Sequence, residues 1–131
     1  MSEGIETRNG QLVERLFKEV LHEAETPNFD VLDEIMHEDY IQHNPLAGQG
    51  RAGLKHFIGN VAPTFTEIGA LFALPIVAVN YVEQGDYVVR QEIRESFMLV
   101  DIFRIEGDLI REHWEAWHFE PGTPRPAYMV S

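Results

Sequence analysis

Asp101, His113 and Glu115 lie within one short stretch, VDIFRIEGDLIREHWEAW at residues 100–117, that is otherwise rich in Val, Ile, Phe and Trp. A packing sheet gains nothing from charge, so an acid, an imidazole and a second acid in such surroundings suggest proton chemistry. Burial among aromatic side chains raises a carboxyl pKa, and a neighbouring imidazolium lowers it again. A group poised near neutrality in this way can act as general acid or base. The plainer reading is that sheet charges form a solvated face, or that Asp and His make an ordinary cross-strand pair. Arg104, Arg111 and Glu112 are read in that plainer way.

Whether the three groups meet depends on the hairpin that carries them. Side chains two apart on a strand share a face, so Asp101 goes with Phe103 and Ile105, and His113 with Glu115 and Trp117. A three-residue loop, Glu106-Gly107-Asp108, pairs Ile105 with Leu109 and Asp101 with His113. A two-residue Gly107-Asp108 loop sets Asp101 opposite Trp114, because one residue of slip swaps faces. The three-residue register is adopted, with Phe103 and Trp117 as apolar walls of the site.

Other chemistries find less support. His43 approaching His113 and Glu115 would make a His-His-carboxylate metal set, but no tight motif such as HExxH is present. Cysteine is absent and no GxSxG occurs, which leaves no recognisable nucleophile. The glycines of GQGRAG match no phosphate-binding pattern and read as a turn into a helix. No metal and no cofactor are expected.

The elements that must position these residues follow from hydrophobic spacing. Leu12, Val13, Leu16, Phe17, Val20, Leu21 and Ala24 form one stripe of a helix over 7–25, ended by Thr26-Pro27-Asn28. Asn28 or Asp30 caps a second helix through Val31, Leu32, Ile35 and Met36. A brief strand over 39–43 and a glycine-rich loop lead to a third helix carrying Leu54, Phe57, Ile58 and Val61. From residue 70 onward the pattern is that of strands, with turns at Gly85-Asp86 and near Arg94-Glu95-Ser96. This order predicts an α+β fold, a curved antiparallel or mixed sheet wrapped around N-terminal helices, with a pocket on its concave side. The chain of 131 residues reads as one domain, with irregular tails over about 1–8 and 121–131. The last tail carries Tyr128 and Met129 and is expected to fold over an opening or onto a neighbouring subunit.

Composition narrows the partners. Ten basic and 22 acidic residues give a net charge of −12, which repels nucleic acid and anionic membranes. No apolar run approaches the roughly 20 residues of a membrane span. The polar N-terminus lacks the pattern of a signal peptide, and a cytoplasmic location is expected.

YIQHNP at 40–45, Gly85-Asp86 followed by Tyr-Val-Val, and DIFRIEGDLIREHWE at 101–115 together resemble the SnoaL-like polyketide cyclases of the nuclear-transport-factor-2-like superfamily. The resemblance implies a cystatin-like α+β cone with a deep pocket, paired as a homodimer through the sheet. It also implies cofactor-free aldol chemistry, in which a pocket carboxylate abstracts a C–H proton and hydrogen-bond donors steady the enolate. By motif position Glu115 stands where the family has an acid/base aspartate, and Asp101 at the other polar position of the hairpin. His43 and Asn44 then face the pocket and, with Tyr40, orient or polarise a small hydrophobic carbonyl substrate. The chain departs from the family in its longer Glu115, its Gly107-Asp108 order, and Arg90 where many relatives have His. Arg90 would bring a permanent positive charge to the substrate if it points inward. Two other readings are an epoxide-hydrolase-like activation of water by Asp101 or Glu115, and a non-catalytic dimeric module that holds an apolar ligand.

Overall fold

The computed structural model describes residues 7–44 and 46–129. Helix α1 (Arg8–Arg15) is capped by the Thr7 side chain and runs into a π-helical turn over Leu16–Val20. α2 (Phe29–Ile35) leads directly into strand β1 (Met36–Gln42), and α3 (Gly50–His56) continues through a second π-helical turn over Phe57–Val61. A 3-10 turn (Ala62–Thr64) and α4 (Thr66–Phe72) complete the helical part. Four strands close the chain: β2 (Ile76–Gln84), β3 (Tyr87–Arg94), β4 (Phe97–Glu106) and β5 (Leu109–Phe119). The sheet runs β1-β5-β4-β3-β2, antiparallel except that β1 lies parallel to β5. The result is the expected α+β architecture with a mixed, curved and unclosed sheet.

Several expected boundaries move. The first helix ends at Val20 rather than near Pro27, because the turn widens to an i→i+5 bond from Leu21 N–H to the Leu16 carbonyl at 2.9 Å. That wider turn sends Leu16, Phe17 and Val20 into the core together. Asn28 does cap α2, its side chain accepting from the backbone of Asp30 and Val31. Residues 70–72 are helical instead of extended. Ile68, Leu71 and Phe72 have helical spacing, and Pro75 separates them from β2, so the run ALFALPIVAVNYVEQ divides between two elements.

The expected three-residue hairpin turn is also corrected. Gly107 and Asp108 both take left-handed backbone (φ 55 and 67°), so the tight turn pairs Glu106 with Leu109 and Ile105 with Ile110. That register alone would turn Asp101 toward Trp114. A β-bulge intervenes: Arg104 pairs with Glu112, leaving Arg111 as an extra residue on β5. The bulge restores the faces, and Asp101 stands opposite Glu115 while Phe103 stands opposite His113.

Two apolar clusters flank the concave face. One joins α1, α2 and the β4/β5 hairpin around Phe17, Leu32, Met36 and Phe103, and the other joins α4 to Phe97, Leu99, Phe119 and Met129. Met129 is buried, so the C-terminal segment packs back onto the cavity. Among the described residues no helix is long and apolar enough to cross a membrane.

Candidate active site

A cavity of about 440 Å³ opens between the helices and the concave sheet face. Its walls are apolar, built from Leu16, Phe17 and Val20 of the first π turn, Phe57 and Ile58 of the second, and Phe72, Leu99, Phe103 and Trp117. π-helical turns recur at functional sites because they redirect side chains that an α-helix would place elsewhere, and both turns here line the cavity. Tyr128 and Met129 close its edge, the Tyr128 ring meeting Phe57 and Phe65 edge-on.

Asp101, His113 and Glu115 reach this cavity side by side. His113 Nε2 lies 2.7 Å from Asp101 Oδ1, and the imidazole stacks on Phe103 at 4.6 Å. Trp117 donates its indole N–H to Glu115 Oε2 at 2.7 Å. Among the described residues, Asp101 Oδ2 is buried with no hydrogen-bond partner. Burial pushes the Glu115 carboxyl above its ordinary pKa and Asp101 adds to the rise, while His113 and the Trp117 bond act against it.

Gln42 locates the proton in this group. Its Oε1 accepts from the backbone N–H of His43 (2.9 Å) and Asn44 (3.2 Å), and its Nε2 donates to the Tyr40 hydroxyl at 2.8 Å. The amide is therefore oriented, and Oε1 faces His113 Nδ1 at 3.3 Å, so Nδ1 carries a hydrogen. The 2.7 Å Nε2–Asp101 contact also holds a hydrogen, shared between the imidazole nitrogen and the carboxylate oxygen. Gln42 is itself clamped by Gln49, which accepts from its backbone N–H and donates to its carbonyl.

The remaining candidates divide. Tyr40 and Asn44 line the cavity and are buried. Burial holds the Tyr40 hydroxyl well above its ordinary value, and burial with the nearby Glu115 pushes Tyr128 up to about 12, so both stay protonated donors. His43 turns outward, bonding Glu112 at 2.9 Å and stacking on Trp114, and does not line the cavity. Arg90 points inward but is consumed beneath the cavity wall: its guanidinium lies 3.8 Å over Phe17 and pairs with Glu92 (2.6 Å) and Glu23. Neither residue sits where a substrate contact was expected. Sequence reasoning passed over Gln42 and His22, which lines the cavity and bonds Glu92, and named Tyr128 only as part of a tail folding over an opening. For Gln42 the signal was its place before His43 and Asn44 on β1; nothing local marked His22, which lies past the π turn.

Asp101, His113 and Glu115 each offer a ligand atom within 4.8 Å of the others, a spacing that could hold a divalent cation, although the Asp101–His113 contact is satisfied by a proton. In the neighbouring set of His22, Glu23 and Glu92, two arginines already occupy the carboxylates.

A mixed sheet curled over helices around such a cavity is an α+β cone, and solved structures share that fold. This chain is similar to TsrD from Streptomyces laurentii (24% identity, TM-score 0.59, 84% of this chain and 87% of that one). It is also similar to a protein from Jannaschia sp. CCS1 assigned as a SnoaL-like polyketide cyclase (23%, 0.64, 87% and 88%). A third similarity is to IdmH from Streptomyces antibioticus, assigned as a polyketide cyclase (15%, 0.55, 85% and 92%). The SnoaL-like domain profile matches residues 13–113, and the chain belongs to that family. No curated protein matches it in sequence.

Proposed function

We propose that this protein catalyses acid/base chemistry on a small hydrophobic carbonyl compound, an aldol-type cyclisation or an isomerisation, using its own side chains. The convergence of Asp101, His113 and Glu115 on an apolar cavity carries the reading. Membership of the SnoaL-like family supports small-molecule cyclase or isomerase chemistry at the level of the family.

Glu115 acts as the base. Its raised pKa makes it a stronger proton acceptor than a solvated carboxylate, and Trp117 holds one oxygen so that the other addresses the substrate. The hydrogen shared between His113 and Asp101 is then available to the enolate or to the new hydroxyl. Tyr40, already accepting from Gln42, directs its own hydrogen elsewhere and serves with Tyr128 as an oxyanion donor. Asn44 orients the substrate beside them. This reading includes neither His43 nor Arg90.

The test needs no native substrate. 2-Tetralone, a bicyclic ketone with acidic C–H bonds, exchanges those hydrogens for deuterium in heavy water, as NMR reads directly. The protein should accelerate exchange, and Glu115→Gln should lower the rate about 10²–10⁴-fold, the usual weight of a general base. Undiminished exchange in that variant sinks the assignment.

We further propose a homodimer through the convex sheet face. Val82, Val89, Ile102 and Trp114 pair in one row across four strands, and Val82 is 63% exposed. Light scattering should give twice the chain mass, falling to one chain mass in a Val82→Glu/Ile102→Glu variant.

A further inference from the structure

The glycine-rich run GQGRAG, residues 48–53, has no part in the chemistry above, yet it holds one side chain against the strand beside the site. Gln49 stands at the N-cap of α3, and its side chain makes no capping bond. Ser, Thr, Asp and Asn are favoured there because their short side chains satisfy the free N–H groups of the first turn. Gln49 turns its amide elsewhere. Its Oε1 accepts from the Gln42 backbone N–H at 3.1 Å, and its Nε2 donates to the Gln42 carbonyl at 2.7 Å.

Gln42 ends β1, an edge strand paired with β5. The Gln49 amide takes the place that one residue of a further strand would fill. Water can replace either bond singly, but it does not hold the two at a fixed spacing. The backbone around Gln49 is set by close approach. Gly50 has left-handed backbone (φ 77°), and a Cβ there would press on the Glu38 carbonyl of β1 at 3.1 Å. A Cβ on Gly53 would lie 2.4 Å from the backbone of Gly48. The loop and the start of α3 therefore touch backbone to backbone, and Gln49 is presented to β1 from a fixed support.

The chain of bonds continues inward. Gln42 and His113 are partners across β1 and β5, and both are buried. The Gln42 amide is held at three points: the His43 and Asn44 N–H groups on Oε1, and the Tyr40 hydroxyl on Nε2. All three come from residues 40–44, the stretch of backbone that Gln49 grips at its middle. Gln42 Oε1 lies 3.3 Å from His113 Nδ1, and His113 Nε2 lies 2.7 Å from Asp101. Movement of the Gln42 backbone moves one of the two contacts that fix the imidazole, and reacting groups tolerate little displacement.

We propose that Gln49 is a positioning residue for His113, acting through Gln42. Gln49 is exposed and does not line the cavity, so it has no contact with a substrate there. It keeps the His113 ring aligned with Asp101 and Glu115. This inference rests on the cavity being the reaction site, and it gives the glycine-rich loop a part in the chemistry.

The test reads the ring nitrogens of His113 by NMR beside the rate of 2-tetralone exchange. Gln49→Met keeps the length of the side chain and removes both bonds. It should move the His113 ring resonances and lower the saturated exchange rate about 10–10²-fold, as a displacement of up to roughly 1 Å does. The half-saturating 2-tetralone concentration should stay the same. Arg51→Met controls for loosening of the loop alone, since Arg51 lies on the same turn of α3 and bonds the Asp33 and Met36 carbonyls. It should leave both readings at the wild-type values, and equal changes there overturn the inference. A double variant tests the route: once Gln42→Leu has removed the amide, adding Gln49→Met should change neither reading further, and additive losses overturn the inference. Unmoved His113 resonances in Gln49→Met also overturn it. Should that variant fail to fold, Gln49→Glu decides by the same resonances, because it keeps an acceptor for the N–H and has no donor for the carbonyl. The base assignment fails separately: exchange that survives Glu115→Gln sinks it, and the His113 resonances still decide the role of Gln49.

Discussion

Two histidine–carboxylate pairs, His22 with Glu92 and His113 with Asp101, stand at or behind the cavity wall at similar separations of 2.8 and 2.7 Å. They differ in what surrounds the carboxylate. Glu92 has every oxygen bonded and two arginines against it, whereas Asp101 leaves Oδ2 buried and unpartnered beside the raised carboxyl of Glu115. A saturated network is rigid and favours one proton arrangement. A buried oxygen without a partner costs stability and marks a place where the fold keeps something in reserve. The first pair is saturated, and the second keeps an unused acceptor oxygen.

Removing each carboxylate should expose the difference most strongly. Glu92→Ala strands Arg90 and Arg94 in the interior and should cost about 3–5 kcal/mol in urea denaturation, the usual loss when one partner of a buried charge network goes. Asp101→Ala removes a singly bonded group and should cost only about 1–2 kcal/mol. Equal losses would erase the distinction. Gln42→Leu comes next: with the His43 and Asn44 N–H groups unpaired it should cost about 1–3 kcal/mol. The same variant should change the tautomer balance of His113 and leave His22 unaffected, as nitrogen NMR can read. Gly107→Ala should cost about 1 kcal/mol through its positive φ, because that residue sets the turn.

The smallest expected effects are in pH. Glu92 has a depressed folded pKa, so its stabilisation is present above the ordinary 4.5 and is lost as pH falls toward the folded value. Glu115 has a raised folded pKa and the opposite sign. Its stabilisation is full below 4.5 and disappears as pH rises through the folded value. Glu115→Gln should therefore be more stable than the wild type near neutrality and no better near pH 4. Melting curves across that range would show the crossing, and parallel curves would refute it.

Strand alternation and turn residues made most of the sheet legible in the sequence. The face shared by Asp101, His113 and Glu115 was legible too, but for the wrong physical reason. Gly107-Asp108 makes a two-residue turn, and the extra residue of the bulge at Arg111 returns the faces to register. Arg111 looks like any surface arginine; what singles it out is its bond to the Asp39 carbonyl on β1, a contact distant in sequence. Arg90 was visible as an inward charge, but its ring of partners, Glu23, Tyr81 and Glu92, comes from the turn after the first π-helical segment, from β2 and from β3. His43 and Asn44 are adjacent on a chain leaving its strand, and a half-turn of backbone decides which one faces in. His22 was hidden by the π turn, whose five-residue step breaks the spacing that a helix of 3.6 residues per turn would show.

The closing edge of the cavity has a different consequence. Tyr128 and Met129 belong to an irregular segment after the last strand, tied back by contacts such as the Arg125 guanidinium over Phe119 and the Thr123 bond to the Ser96 carbonyl. Among the described residues no strand pairs with that segment. Tyr128 apart, its length and side chains can therefore diverge without disturbing the hairpin beneath it. Save for that one hydroxyl, the segment that borders the opening is separate from the strands that carry the carboxylates, so descendants of this fold could change diet before they change chemistry.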